Sequence, residues 1–123
     1  MKTSEIKKVV ILDELGHKYI VATLTDSDEN EIFVLRGGEA DQDHPSILKD
    51  LKAEISDLNV TIHGGGRISV DTVGRTCSLT ETTAEPYIMI SGTSGNFGSN
   101  RKEEETLSLL KETYPQCSVE VSY

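Results

Sequence analysis

The chain has three histidines, His17, His44 and His63, the only side chains whose ordinary titration falls near neutral pH. His17 sits in a Gly-His turn and His63 ends the strand-like run from Asn59, and both read as structural or solvent-exposed. His44 differs because Pro45 follows it, a residue suited to the first helical turn, so either His44 or Asp43 caps a helix. There the helix dipole disfavours imidazolium by about 0.3–1 kcal/mol and favours the neutral ring that a base or nucleophile needs. Glu39, Asp41 and Asp43 push the opposite way, and the plain alternative is an exposed cap residue.

Two glycine-bearing segments could hold an anion. Gly64-Gly65-Gly66-Arg67 follows the strand-like Asn59 to His63. Its glycines allow positive φ and convergent amides, although a tight strand-to-strand connection with an exposed Arg67 explains the same residues. Gly92-Thr93-Ser94-Gly95-Asn96-Phe97-Gly98-Ser99 lies between a strand and a helix. Small residues there aim amides, a hydroxyl and a helix dipole at phosphate or sulfate, or simply cap the helix. Neither segment matches GxxxxGK[ST], which disfavours P-loop nucleotide hydrolysis.

Other chemistries fail on spacing. Asp26-x-Asp28-x-Asn30 opens like a calcium loop, but Glu31 and Gly37 stand where Gly and Glu are required. Cys77 has Thr83 where a Cys-x5-Arg phosphate cradle needs Arg. Asp41-Gln42-Asp43-His44 has no second cluster to complete a metal site. Cys77 and Cys117 form no CxxC or Cys/His spacing, so zinc and dithiol centres of the usual kind are out and both thiols are expected to be reduced.

These residues need a scaffold, and 123 residues suffice for one domain, expected to span 1–123. A net charge of -9 is the wrong sign for general attraction to nucleic acid or anionic membranes. No apolar run reaches a membrane span and no signal peptide opens the chain, so a cytoplasmic, monomeric protein is expected. Val9 to Leu12, Lys18 to Leu24 and Ile32 to Leu35 read as three strands at hairpin spacing. Ile47, Leu48, Leu51, Ile55 and Leu58 fall on one helical face. Strand signals follow at Asn59 to His63, Arg67 to Val70, Thr76 to Leu79 and Tyr87 to Ser91. A second helix carries Leu107, Leu110 and Tyr114, with Asn100 and Glu103 as a capping box and Pro115 as its stop; Ser118 to Val121 closes the chain. The expected fold class is α/β: a mixed, mostly antiparallel sheet of about six strands flanked by two helices.

Read in order, several separated motifs agree. Lys18-Tyr19 is followed by Arg36-Gly37, by His44 eight positions beyond that Arg, by Gly64-Gly65-Gly66-Arg67-Ile68, by Ser91 to Gly98, and by Lys111-Glu112-Thr113-Tyr114-Pro115. The set resembles the 14 kDa phosphohistidine phosphatases of the Janus/Ocnus family over essentially the whole chain. The resemblance implies a hydrolase that takes phosphate from phosphohistidine-containing proteins without a metal or other cofactor. It implies His44 as the essential catalytic residue, with Lys18 and the loop residues Ser94, Gly95 and Asn96 holding the phosphoryl group, and weaker support for Arg36 and Arg67. The alternative is a non-catalytic phosphate-binding or interaction module on the same scaffold. The chain departs from the family pattern in having Ser91 and Thr93 where aromatics are common, a longer stretch between Arg67 and Ile88, and Arg101-Lys102 where a helix-initial His is often found.

Overall fold

Burial on both faces marks the central strand. In β2 (His17–Thr25), Tyr19, Ile20, Val21, Ala22 and Leu24 are all buried, which requires cover from each side. The computed structural model describes residues 3–12, 17–55, 57–71, 75–77, 82–84 and 87–122. The other strands are β1 (Val9–Ile11), β3 (Glu31–Gly37), β4 (Asn59–Asp71), β5 (Arg75–Cys77), β6 (Thr82–Ala84), β7 (Tyr87–Ser91) and β8 (Ser118–Ser122). Six of them form one sheet in the order β1-β3-β2-β4-β7-β8, and β5 and β6 pair separately. The three central pairings are antiparallel and the two outer ones parallel, giving the mixed, mostly antiparallel sheet expected.

A helix covers each face. Ile47, Leu51 and Ile55, from helix α1 (His44–Glu54) and its cap, pack on Ile20, Ala22, Leu24 and Val34. Leu109 and Leu110 of α2 (Glu103–Thr113) pack on Tyr19, Val21, Leu35, Ile68, Ile88 and Ile90. Each such aliphatic side chain contributes about 1.5–3 kcal/mol by leaving water. No helix among the described residues is long and apolar enough to cross a membrane.

Three local expectations are corrected. First, β1 does not form a hairpin with β2; it pairs in parallel with β3, Val9 opposite Leu35. Second, the three glycines do not connect two strands. They lie inside the thirteen-residue β4, which runs unbroken from Asn59 to Asp71. Gly64, at φ +118°, follows a bulge: Val21 pairs with Gly64 and Ala22 with Ile62, leaving His63 as the extra residue. Third, Asn100 and Glu103 form no capping box. Asn100 Oδ1 accepts from the Lys102 amide at 2.8 Å while its Nδ2 donates to Thr106 Oγ1 at 2.8 Å. The buried stripe of α2 is accordingly Thr106, Leu109 and Leu110, with Leu107 and Tyr114 at its half-buried margin. Of the segment Thr76 to Leu79, the backbone of Thr76 and Cys77 is in β5, and the rest lies outside the described residues.

Candidate active site

Asp43, not His44, caps α1, its carboxylate accepting from the Ser46 amide at 2.9 Å. His44 therefore occupies the first helical position, and its side chain turns down onto the sheet, only 5% exposed. What it meets is β4 at the glycines. His44 Nε2 lies 3.0 Å from the Gly66 carbonyl oxygen, and a Cβ on Gly65 would come within 3.3 Å of His44 Cδ2 while running into the Tyr19 carbonyl. Gly65 is thus the bare floor beneath the imidazole.

That contact fixes the ring's chemistry. A carbonyl oxygen only accepts, so Nε2 must carry the hydrogen, and in the neutral ring the free lone pair belongs to Nδ1. Among the described residues no fully buried polar side-chain atom lacks a partner, so Nδ1, which makes no hydrogen bond, keeps contact with solvent.

Two cations lie on the same face. Lys18 shares the α1 side of β2 with Ile20 and Ala22, and is directly opposite Arg67 of β4, which is in turn opposite Ser91 of β7. Ile68, Ile88 and Ile90 face α2, so Arg67 and Ser91 face α1. Opposed residues on neighbouring strands have Cβ atoms about 4.5–5.5 Å apart, and like charges so placed destabilise a sheet unless an anion joins them. Neither cation has a hydrogen bond or ion pair among the described residues. Arg67 follows Gly65 by two residues on one face, so its backbone lies about 7 Å along β4 from the floor under His44.

The loop after β7 closes over this corner. Gly98 O accepts from the Gly65 amide at 3.2 Å and from the Ser94 amide at 3.2 Å, and Gly98 N donates to Ser94 O at 2.9 Å. Phe97 packs with the α1-side core. The loop is therefore stitched to the very residue that underlies the imidazole. Lys18, Arg67 and Gly65 thus share one face of neighbouring strands, and the His44 ring lies over that face at Gly65.

A sequence model of the Janus/Ocnus family matches residues 3–118. The chain belongs to the Janus/Ocnus family. A search of curated proteins found no match.

Not every residue singled out in this Janus/Ocnus chain reaches the site. Arg36 does not. Its guanidinium is buried and fully engaged: Nε and Nη2 grip Glu54 at 3.1 and 2.7 Å, Nη2 also donates to Lys7 O at 2.8 Å, and Nη1 donates to Leu35 O at 3.0 Å and Lys8 O at 3.4 Å. Glu54 ends α1, ten residues or about 15 Å along the axis from His44. Ser94 is 3% exposed, and its Oγ accepts from the Asn96 and Phe97 amides at 3.2 and 3.0 Å. The Ser94 hydroxyl and the Ser94 and Asn96 amides thus shape the loop. Of the three residues expected to cradle an anion, Gly95 is the one whose amide takes no acceptor among the described residues, and it is exposed.

His63 sits at the bulge on the α2 side, bonded to Thr23 Oγ1 at 2.7 Å and stacked on Phe33. Burial, Lys102 and Arg101 hold its pKa below the ordinary value. The backbone of His17 lies in β2, and its side chain is outside the described residues. Sequence reasoning missed two parts of the site. The Gly66 carbonyl is one, since a main-chain partner leaves no residue-type signal. Arg101 is the other: it fixes the loop's far end through its amide to His63 O at 2.9 Å and its guanidinium to Phe97 O and Ile62 O, both 3.3 Å.

Proposed function

We propose that this protein hydrolyses the P–N bond of phosphohistidine in proteins, with His44 as general base or nucleophile. One observation carries the reading: His44 commits Nε2 to the Gly66 carbonyl and keeps the Nδ1 lone pair on the sheet face that also carries Lys18 and Arg67, whose side chains have no partner among the described residues. Membership of the Janus/Ocnus family supports it.

A phosphoramidate needs little covalent help, because a protonated imidazole leaves phosphorus readily; the enzyme chiefly holds the phosphoryl oxygens and positions a nucleophile. Lys18 and Arg67 supply the positive charge and the Gly95 amide a fixed donor. In the first route Nδ1 takes a proton from water as the water oxygen bonds to phosphorus and the P–N bond breaks. The leaving imidazole then takes up a proton, so that histidine and inorganic phosphate result. In the second, Nδ1 bonds to phosphorus as the substrate's P–N bond breaks and its imidazole leaves with a proton, and water then cleaves the new P–N bond to give inorganic phosphate and free His44. The substrates in this reading are phosphohistidine-containing proteins of the cytoplasm, met by a monomer that uses no cofactor.

The test is phosphate release from a phosphohistidine peptide by wild type and His44→Ala. Loss of at least about 100-fold in turnover, with an unchanged circular dichroism spectrum, is expected. A wild type that releases no phosphate, and a His44→Ala variant that binds the phosphopeptide as tightly as wild type, would show a binding module instead. Rapid quenching under alkaline conditions separates the two routes, since only the second leaves label on His44.

A further inference from the structure

On the other face of the sheet, α2 and β3 enclose a groove of about 470 Å³. Glu104, Ser108 and Glu112 recur at every fourth residue of α2 and form one stripe along it. Ser108, small and exposed, opens the middle of that stripe. Leu109, buried, and Phe33, half-buried, provide an apolar floor. Glu105 completes the helix wall, and Glu31 with Lys8 stands on the opposite one.

The charges are out of balance. Four glutamates face the groove against one lysine, and none of the four has an ion pair or hydrogen bond among the described residues. The helix dipole accounts for Glu104 and Glu105 in the first turn of α2. It works against Glu112 near the other end, and it does nothing for Glu31. Carboxylates confronting one another across a cleft repel, and a cationic occupant removes that penalty. A bare metal ion does not suit the place: no group of three acidic, His or Cys side chains among the described residues is close enough to ligate one, and part of the wall is apolar. An arginine or lysine suits it well. Its aliphatic stem lies on Leu109 and Phe33, and its head reaches the acidic rim.

We propose that this groove docks an arginine-rich, leucine-bearing segment of a partner polypeptide. Since it lies across the sheet from His44, the docking stands or falls separately from the phosphatase reading. The test titrates the full-length ¹⁵N-labelled protein with a capped six-residue peptide of alternating arginine and leucine, followed by NMR. Saturable shifts are expected at the amides of Phe33, Ser108 and Leu109, with affinity falling about tenfold between low and physiological salt. Glu105→Gln with Glu112→Gln should weaken binding about tenfold, and Ser108→Trp should block it by filling the groove while leaving every charge in place. All three positions are at the surface, so the variants should fold. The proposal is overturned if the peptide shifts no groove amide, if an aspartate-leucine peptide binds equally well, if calcium chloride alone gives the same shifts, or if sedimentation shows the groove already closed by a second copy of the chain.

Discussion

Arg36 offers the sharpest test of how the scaffold and the site divide the cationic residues. Replacing it with Met keeps the length and apolar stem of the side chain and removes all five donated hydrogen bonds. Two consequences can be sized. The Glu54 carboxylate is 41% exposed, so losing the ion pair itself costs only about 0–1 kcal/mol, because water re-solvates the acid. The carbonyls are the larger cost: Lys8 O retains the Leu35 amide and Leu35 O its place in the β1–β3 ladder, but Lys7 O loses the guanidinium, at about 1–1.5 kcal/mol. The sum is about 1–2.5 kcal/mol, an appreciable part of the 5–15 kcal/mol typical of a domain. Urea denaturation should show a lower midpoint with an unchanged slope, and Glu54→Gln should lose at most about 1 kcal/mol. KM for a phosphohistidine peptide, measured well below the melting transition, should stay within about twofold, since the guanidinium is held by Glu54, at the opposite end of α1 from His44. A variant of wild-type stability whose KM rises tenfold or more would refute this reasoning and return Arg36 to the phosphate site.

Lys18→Met should raise KM for the phosphohistidine peptide about tenfold or more, with little change in melting temperature, because the Lys18 side chain has no partner to lose among the described residues. Gly65→Ala should cost about 1–3 kcal/mol in urea denaturation, since the new methyl meets the Tyr19 carbonyl, and should lower kcat through the displaced His44 ring. For His63 the sign follows from its depressed pKa: the folded state favours the neutral ring, so its contribution is complete above the unfolded value of 6.5 and is lost as pH falls through the folded pKa. Stability should therefore decline from about pH 7 to about pH 5, and His63→Gln should flatten that part of the curve.

The mixed sheet and the placement of the helices were legible where burial is periodic. Ile47, Leu51 and Ile55 announce one face of α1, and Pro45 announces its start. The partner of β1 was not legible, because a three-residue strand carries no sign of which neighbour it will join or in which direction. The glycine triplet misled for a related reason. Glycine is the usual punctuation of turns, yet here it serves close approach inside a strand, with Gly64 against Ser99 and Gly65 under His44. Within the site, residue type and position singled out His44, Arg67 and the loop that holds Gly95, and the family resemblance added Lys18. Arg36 was singled out through the family resemblance, and only the long-range partner Glu54, eighteen residues away, reveals that its guanidinium is occupied. For Ser94 the sequence did not reveal that its Oγ accepts from the Asn96 and Phe97 amides of its own loop.

The single extra residue at His63 works as a phase inverter for β4. Upstream, even-numbered Val60 and Ile62 feed the α1 core; downstream, even-numbered Ile68 and Val70 feed the α2 core. One strand thereby anchors both hydrophobic layers, and the odd-numbered Gly65 and Arg67 are delivered to the His44 side. Excising that residue would restore a regular ladder and put Arg67 on the wrong side of the sheet, together with an exchange of apolar and polar faces down half the strand. Length changes in this strand should therefore be far less tolerated than point substitutions.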